Sequence, residues 1–259
     1  MPKDFERRKG MSSTVLITGV AGGIGSATAK VFRREGWQVV GVDKQSLGSE
    51  SSNVDWFVQS DVSQEAGWQQ IYEEVNQKVG RLDGLVNNAA IQICKPLVET
   101  TPEEWDSVMA VNVRSAYLGV RQMYSLLQAA EGAIVNVSSV HAVATSANIG
   151  AYAASKGAML ALTRSLAIEL APAVRVNAVL PGAVNTEMLR AGLGRGSLQE
   201  NNLDVLIKKI GERHLMGRVG DPGEIGETIY FMVNGKQSGF ITGQSVVVDG
   251  GAMARLSTE

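Results

Sequence analysis

Cysteine and histidine are scarce in this chain of 259 residues, which holds one cysteine and two histidines. The single cysteine, Cys94, excludes an intrachain disulfide and fits a reducing compartment, so we expect a cytoplasmic protein. Two histidines cannot form a histidine-rich metal site, and no other spacing typical of metal ligands is present. No metal is therefore expected.

The chain also lacks a strong excess of charge and a long apolar run. Its net charge is -2, with both signs spread along the sequence, which argues against a nucleic-acid partner. No apolar stretch is long enough to span a bilayer, so no membrane partner is expected. The N-terminus, MPKDFERRKG, is charged and lacks the apolar core of a signal peptide. We expect residues 1–12 to form a flexible N-terminal extension.

A glycine-rich turn follows the first strand-like segment. Residues 14–18 are apolar and β-branched, which indicates a buried strand, and residues 26–35 have the pattern of a helix. Glycines between them permit a tight turn and close approach of the backbone to a pyrophosphate, while the helix N-terminus offers free N–H groups. This order predicts a dinucleotide site. The cofactor-binding residues expected in the turn are Gly19, Gly22, Gly23, Ile24 and Gly25.

The second strand-like segment, residues 37–42, ends in Asp43. An acid at this position can accept hydrogen bonds from both hydroxyls of an adenosine ribose and would repel a 2′-phosphate. The turn after Thr18 carries no arginine or lysine, and the nearby Lys44 is expected to point to solvent. The sequence therefore predicts NAD as the cofactor, with NADP disfavoured.

Tyr152 and Lys156 lie four residues apart, with Ser139 shortly upstream. In a helix this spacing puts both residues on one face, so the Lys156 ammonium can sit beneath the Tyr152 phenol. A free tyrosine has a pKa of about 10, and a nearby cation lowers it, as proton transfer at neutral pH requires. The same spacing also fits a packed ring beside a solvated charge. The glycine-rich turn favours the catalytic interpretation.

Strand-like and helix-like segments alternate along the chain with no linker between them. The strand-like segments lie near residues 14–18, 37–42, 54–58, 83–87, 132–138, 174–179 and 244–248. This alternation predicts an α/β fold over residues 13–259, one domain with a seven-stranded, mostly parallel, doubly wound sheet of the Rossmann type and helices on both faces. Ligands bind such sheets at the carboxyl ends of the strands.

Together these segments resemble the short-chain dehydrogenase/reductase family, from about Thr14 to Met253. The matching motifs, in the family's order, are TGVAGGIG from residue 18, NNAA from 87, SS from 138, YAASK from 152, VLPGAVNT from 179 and VDGG from 248. The sequence departs from the family at Ala90, where glycine is usual. The family's members are nicotinamide-dependent oxidoreductases, so the resemblance implies an NAD-dependent enzyme that interconverts a secondary alcohol and a ketone.

The resemblance also implies four catalytic residues. They are Asn112, Ser139, Tyr152 and Lys156. Ser139, which has the family's separation from the tyrosine, would orient the substrate oxygen, and Tyr152 would exchange a proton with it while a hydride moves at the nicotinamide. Lys156 would lower the tyrosine pKa and bind the nicotinamide ribose. Asn112 would hold a water that links Lys156 to solvent.

Further cofactor contacts and the assembly follow from the same resemblance. Asp61 and Val62 would line the adenine pocket, and a homotetramer is expected, with interfaces at the helices from about Thr101 and Tyr152 and at the C-terminal segment. The remaining cofactor-binding residues would be Asn87 and Ala89 in the groove, Pro181 and Gly182, and Val184 and Thr186 at the nicotinamide amide.

The predicted substrate-binding residues are Gln92, His141 and Ile149. Gln92 and His141 resemble the carboxylate-binding positions of 3-hydroxybutyrate dehydrogenases in the family. Those enzymes usually carry a lysine where this chain has Ile149, and a buried carboxylate needs a paired charge, for which Lys95 is an alternative source. The substrate class stays open between a small hydroxy acid, a sugar, a polyol and another secondary alcohol. Residues 189–215 are expected to form a lid over it.

Two other functions fit parts of the sequence. One is an NADPH-dependent 3-oxoacyl-thioester reductase, against which Asp43 and the lack of a basic residue in the glycine-rich turn both argue. The other is a non-catalytic protein of the same fold that senses nucleotides. The match at every catalytic position of the family argues against that second alternative.

Overall fold

The computed structural model describes residues 12–48, 52–194 and 202–254. Residues 1–11 of the expected N-terminal extension lie outside the described residues, and so do residues 195–201 of the expected lid. Within the described ranges, no helix combines the length and the apolar character that crossing a bilayer requires.

The described residues form one sheet of seven strands. The strands are β1 Thr14–Thr18, β2 Gln38–Asp43, β3 Trp56–Gln59, β4 Gly84–Asn87, β5 Ala133–Val137, β6 Arg175–Pro181 and β7 Ser245–Val248. Their order in the sheet is β3-β2-β1-β4-β5-β6-β7. Every pair of neighbours is parallel, so the sheet is fully parallel rather than mostly so. The chain runs outwards from β1 to β3 and then returns to the other side of β1, which leaves a crevice at the carboxyl ends of β1 and β4.

Helices cover both faces of the sheet, which explains why strands such as β1 and β5 are buried at every position. The described helices are α1 Gly23–Arg34, α2 Glu65–Lys78, α3 Pro102–Met109, α4 Ser115–Ala130, α5 Gly150–Leu170, α6 Glu187–Gly194, α7 Leu203–Gly211, α8 Pro222–Val233 and α9 Gly235–Ser238. On one face, apolar side chains of α2, α4 and α5 belong to a core cluster that includes Trp68, and on the other, those of α1 and α8 belong to a cluster that includes Phe32. The predicted single-domain, doubly wound α/β fold is confirmed.

Local sequence signals set several helix boundaries. Thr101 caps α3 and forms a reciprocal pair of hydrogen bonds with Glu104, and Asp221 does the same with Glu224 at α8. Helix α1 begins at Gly23, earlier than the predicted start at residue 26, because the last glycines of the turn already form its first helical turn. Those glycine N–H groups therefore belong to the positive end of the helix dipole.

Candidate active site

The glycine-rich turn lies between β1 and α1 and brings the backbone close to the loop after β4. Gly19 has a φ of 67°, and a Cβ there would lie 2.8 Å from the Cα of Ala89. A Cβ on Gly25 would lie 2.1 Å from the carbonyl oxygen of Gly19. Gly25 is buried beneath the turn and does not line the cleft, whereas Gly19, Gly22, Gly23 and Ile24 do. The missing side chains leave a cradle of backbone N–H groups that fits a pyrophosphate.

Asn88 holds this turn in place. Its Nδ2 donates to the carbonyl oxygens of Thr18 and Gly19 at 2.9 and 3.0 Å. In return, Thr18 Oγ1 accepts hydrogen bonds from the N–H groups of Asn88 and Ala89. Asn88 is the second asparagine of the NNAA motif, and it is not among the residues predicted from the sequence.

Asn87 does not line the groove, contrary to the expectation. Its side chain lies inside the sheet, where Nδ2 donates to Asn136 Oδ1 at 2.8 Å. Successive residues of a strand point to opposite sides, so only one of two adjacent asparagines can face the glycine-rich turn. That one is Asn88, which lines the cleft together with Ala89.

Asp43 is fixed at the end of β2, facing the glycine-rich turn. Its Oδ2 accepts a hydrogen bond from the N–H of Ala21 at 3.0 Å, and its Oδ1 accepts one from Gln45 at 3.0 Å. An ionised carboxylate has about four acceptor positions, so both oxygens can still accept from ribose hydroxyls. This geometry fits the predicted ribose contact.

Lys44 is exposed, as expected, but it also pairs with an acid at the edge of the cleft. Its Nζ lies 3.0 Å from Asp61 Oδ2. Burial raises the pKa of Asp61, but hydrogen bonds from Ser63 and Lys44 outweigh it and the net pKa is lowered. Asp61 is therefore ionised at neutral pH, and with Val62 it lines the cleft.

Ser139, Tyr152 and Lys156 meet at the carboxyl end of β5. Tyr152 and Lys156 project from the same face of α5, and the Lys156 ammonium nitrogen lies 5.4 Å from the centre of the tyrosine ring. Lys156 Nζ donates to the carbonyl oxygen of Val137 at 2.8 Å, and the Ser139 hydroxyl is hydrogen-bonded to Tyr152. The hydroxyl of Ser138 has a different partner, because its Oγ donates to the Lys156 carbonyl oxygen. The predicted choice of Ser139 over Ser138 therefore agrees with the geometry.

Burial dominates the ionisation of this pair. It raises the pKa of Tyr152 to about 12, against which the hydrogen bond with Ser139 acts in the lowering direction. It also lowers the pKa of Lys156 to about 8. The expected lowering of the tyrosine pKa by the lysine is thus not observed. Both groups are enclosed by protein, and a lysine with a pKa near 8 is still about nine-tenths charged at pH 7.

Asn112 lies in a π-helical turn, Ala110–Arg114, between α3 and α4. Its Oδ1 accepts from the N–H of Ile91 at 2.8 Å, and its Nδ2 donates to the Ile91 carbonyl oxygen at 2.9 Å and to Ser155 Oγ at 2.9 Å. The buried side chain therefore faces α5 and the loop after β4 and does not line the cleft. π-Helical turns of this kind are frequent at functional sites.

The predicted substrate residues line the cleft but present no cation. Gln92 Nε2 donates to the Met188 carbonyl oxygen of α6 at 2.7 Å. The ring of His141 packs edge-on against Tyr152, and burial lowers the pKa of this histidine, which keeps it neutral. Lys95 does not line the cleft, because its Nζ pairs with Glu104 Oε2 of α3 at 2.5 Å. With Ile149 apolar, none of the predicted contacts supplies the charge that a carboxylate needs.

The cleft is large enough for a dinucleotide and a small substrate together. Its volume is about 2420 Å³, above the roughly 300–1,000 Å³ of ordinary ligand pockets. Four of the predicted cofactor residues, at the end of β6 and directly after it, also line the cleft. They are Pro181, Gly182, Val184 and Thr186.

Comparisons with known proteins agree with this geometry. The family model described as enoyl-(acyl carrier protein) reductase matches residues 19–253. Cyclopentanol dehydrogenase of Comamonas sp. (strain NCIMB 9872) is 35% identical over 250 residues, covering 93% of this chain and 96% of that protein. The 3-oxoacyl-(acyl-carrier-protein) reductase of Thermotoga maritima is 36% identical over 248 residues, covering 91% of this chain and 96% of that protein.

A solved structure shows the same likeness. The 3-ketoacyl-(acyl-carrier-protein) reductase from Brucella melitensis, complexed with NADH, superposes with a TM-score of 0.84 at 33% identity, covering 93% of this chain and 98% of that chain. The chain belongs to the short-chain dehydrogenase/reductase family, which confirms the resemblance drawn from its motifs. It is an oxidoreductase of a family that acts on alcohol and ketone groups and uses nicotinamide cofactors.

Proposed function

We propose that the protein interconverts a secondary alcohol and a ketone with NAD as its cofactor. The observation that carries the proposal is the meeting of Ser139, Tyr152 and Lys156 in the cleft that also holds the glycine-rich turn and Asp43. A proton carrier and a dinucleotide cradle thus lie at one edge of the sheet. Proton exchange at the substrate oxygen and hydride exchange at the neighbouring carbon can then occur together.

Each side chain has a separate part in this reaction. The Ser139 hydroxyl binds and orients the substrate oxygen. In ketone reduction the Tyr152 hydroxyl gives its proton to that oxygen, and in alcohol oxidation the phenolate takes the proton back. Lys156, whose ammonium nitrogen lies 5.4 Å from the centre of the ring, binds the nicotinamide ribose. A bound nicotinamide supplies or accepts the hydride.

Support for NAD rests on Asp43. The N–H groups of Ala21 and Gln45 hold its two oxygens in place, so the negative carboxylate would repel the 2′-phosphate of NADP. Lys44, the cation beside it, pairs with Asp61. A negative charge at the adenine ribose therefore favours the unphosphorylated cofactor.

The pocket favours an uncharged substrate over a hydroxy acid. His141 is neutral and Gln92 is an uncharged amide with one N–H bonded to the Met188 carbonyl oxygen, so neither of the two positions similar to those of 3-hydroxybutyrate dehydrogenases supplies a cation for a carboxylate. One relative, cyclopentanol dehydrogenase, is named for a neutral secondary alcohol. We therefore favour a small neutral alcohol, such as a cyclic alcohol, a polyol or a sugar.

One comparison favours a second candidate, an NADPH-dependent 3-oxoacyl-thioester reductase. It is the likeness to the Thermotoga maritima reductase of acyl-carrier-protein thioesters. Titration of the protein with NADH and NADPH, followed by cofactor fluorescence, separates the two. Tight NADH and weak NADPH binding would support the main proposal, and the reverse order would favour the thioester reductase.

Turnover tests the proton-transfer role. The wild-type protein should oxidise cyclopentanol or a related alcohol with NAD, and Tyr152→Phe should lower kcat at least about a hundredfold while NADH binding changes little. Phenylalanine keeps the ring and removes only the hydroxyl, which is the proposed proton carrier and the partner of Ser139. Substantial residual turnover by this variant would exclude Tyr152 as the proton carrier.

The proposal extends to a cytoplasmic location and a homotetramer. Apolar side chains are exposed on the helices and edge strand where the sequence places the interfaces. They are Tyr117 of α4, Ile168 of α5, Phe231 of α8, Phe240 before β7, and Val247 of β7. In the proposed tetramer, neighbouring copies would cover these side chains.

A further inference from the structure

We infer that Ser155, the residue before Lys156, is a positioning residue that fixes the Asn112 carboxamide against α5. The inference rests on the proposed function, because it concerns how the proposed catalytic residues are held relative to one another. Ser155 does not line the cleft and contacts no reacting atom, so its effect is indirect.

The hydroxyl of Ser155 is fully enclosed and uses both of its hydrogen-bonding roles. Its exposed fraction is 0%. It donates to the Tyr152 carbonyl oxygen at 2.7 Å and accepts from Asn112 Nδ2 at 2.9 Å. The first bond fixes the direction of the hydroxyl hydrogen, so a lone pair is left facing Asn112. Ser155 therefore orients the amide instead of merely filling space.

The other side of Asn112 is tied to the cleft wall. Its Oδ1 and Nδ2 bond the N–H and the carbonyl oxygen of Ile91, the residue before Gln92. The carboxamide thus joins α5, which carries Tyr152, to the loop after β4. Because Nδ2 has two hydrogens and both have acceptors, rotation of the amide would break buried hydrogen bonds. One serine hydroxyl therefore helps to set the distance between the proton carrier and the opposite wall of the cleft.

Helix α5 offers a matched control. Thr163 is also 0% exposed, donates to the Met159 carbonyl oxygen at 2.7 Å and accepts from Asn136 Nδ2 at 2.9 Å. It lies about 12 Å further along the helix axis, and it does not line the cleft. Removing its hydroxyl breaks the same kind of bond away from the proposed catalytic residues.

The first test compares Ser155→Ala with Thr163→Val. Alanine is a better helix former than serine, so the fold should be kept, and both variants should lower the melting temperature by a similar amount. Ser155→Ala should lower kcat about tenfold, leave the KM for NAD unchanged and move the ionisation seen in the pH profile of kcat. Thr163→Val should change neither kcat nor the pH profile. Equal kinetic effects of the two variants would overturn the inference.

A double-mutant cycle tests whether Ser155 acts through Asn112. The effects of Ser155→Ala and Asn112→Ala on kcat should be strongly non-additive, because each removes one partner of the same bond. Additive effects would mean that Ser155 acts by another route. Should Ser155→Ala fail to fold, Asn112→Asp removes the Nδ2 donor with nearly the same shape, and an unchanged kcat in that variant would contradict the inference.

Hydrogen exchange provides a readout that does not need turnover. The Ile91 N–H is bonded to Asn112 Oδ1, so its exchange rate reports the position of the carboxamide. Ser155→Ala should speed this exchange, and Thr163→Val should not. If the wild-type protein turns over no alcohol or ketone, the proposed function fails while this measurement still tests Ser155. Unchanged Ile91 exchange in Ser155→Ala would reject the positioning role itself.

Discussion

At the scale of single residues, the chemistry depends on groups whose ionisation is shifted by burial. Tyr152 is held protonated, with a pKa of about 12, and Lys156 loses part of its charge, with a pKa of about 8. The two proposed directions of reaction need different forms of Tyr152. Reduction needs the phenol and oxidation needs the phenolate.

The pH dependence of the two directions should therefore differ in sign. Below a Tyr152 pKa of about 12, the phenolate fraction rises by up to about tenfold per pH unit, so kcat/KM for alcohol oxidation should rise between pH 7 and 9. The phenol fraction is nearly constant in that range, so kcat/KM for ketone reduction should change little. Initial rates in both directions check this. An oxidation rate that is flat from pH 7, with a falling reduction rate, would place the pKa far below 12.

Asp43 should set the choice between the two nicotinamide cofactors. Asp43→Ala removes the ribose acceptors and the repulsion of a 2′-phosphate, so NADH should bind about tenfold more weakly and NADPH more tightly. Fluorescence titration of both cofactors measures the ratio of their dissociation constants. Asp43→Asn, which keeps the shape and removes only the charge, separates repulsion from lost hydrogen bonds. An unchanged ratio in both variants would exclude Asp43 as the ribose ligand.

At the scale of secondary structure, local signals predicted the elements well and their side-chain partners poorly. The glycine-rich turn depends on neighbours in sequence, and the structure has it where expected. Asn112 lies in a π-helical turn, and its amide partners are Ile91 and Ser155. Those residues are remote in sequence, so no local pattern could reveal the pairing.

The partners of two other polar side chains could not be predicted from the sequence either. The sequence allows Lys95 as a source of positive charge for the substrate, but the fold places Lys95 beside Glu104 at the start of α3. Gln92 was expected to contact substrate, and its amide instead reaches the first turn of α6. Both outcomes depend on how elements pack, which composition and spacing do not specify.

The glycine-rich turn gives a prediction at this scale. Gly25→Ala would place a Cβ 2.1 Å from the Gly19 carbonyl oxygen, so the turn must shift. Overpacking of this kind costs about 1–3 kcal/mol, and NADH binding should weaken at least about tenfold because the phosphate cradle is displaced. Thermal melting and NADH titration measure the two effects. Gly48→Ala is the control, since a Cβ there meets nothing within 4 Å. Normal NADH affinity in Gly25→Ala would contradict the cradle.

At the scale of the whole molecule, the doubly wound parallel sheet could be predicted because alternating strands and helices with right-handed crossovers allow few arrangements. The crevice between β1 and β4 follows from the strand order, and the proposed cofactor site lies there. The assembly is not specified by strand order. It depends on which apolar side chains remain on the outside of the folded chain.

Those exposed side chains lead to the last prediction, a homotetramer. Phe240 is fully exposed and Ile168 is 80% exposed. Strand β7 is an edge strand, and its Val247 is 44% exposed, so we expect another copy of the chain to cover this edge. Light scattering at micromolar concentration should therefore give four times the mass of the chain. A monomer would refute the prediction.

Substitution at the surface shows which contact holds the assembly together. Phe240→Glu puts a charge into the expected C-terminal interface, where burial without a partner costs several kcal/mol, so the tetramer should dissociate to a smaller species. Val98→Glu is the control, because Val98 is 95% exposed in the loop before α3 and lies outside the predicted interfaces. If Phe240→Glu leaves the mass unchanged while Val98→Glu lowers it, the interface lies around the loop before α3, and the exposed apolar surface at β7 has another role.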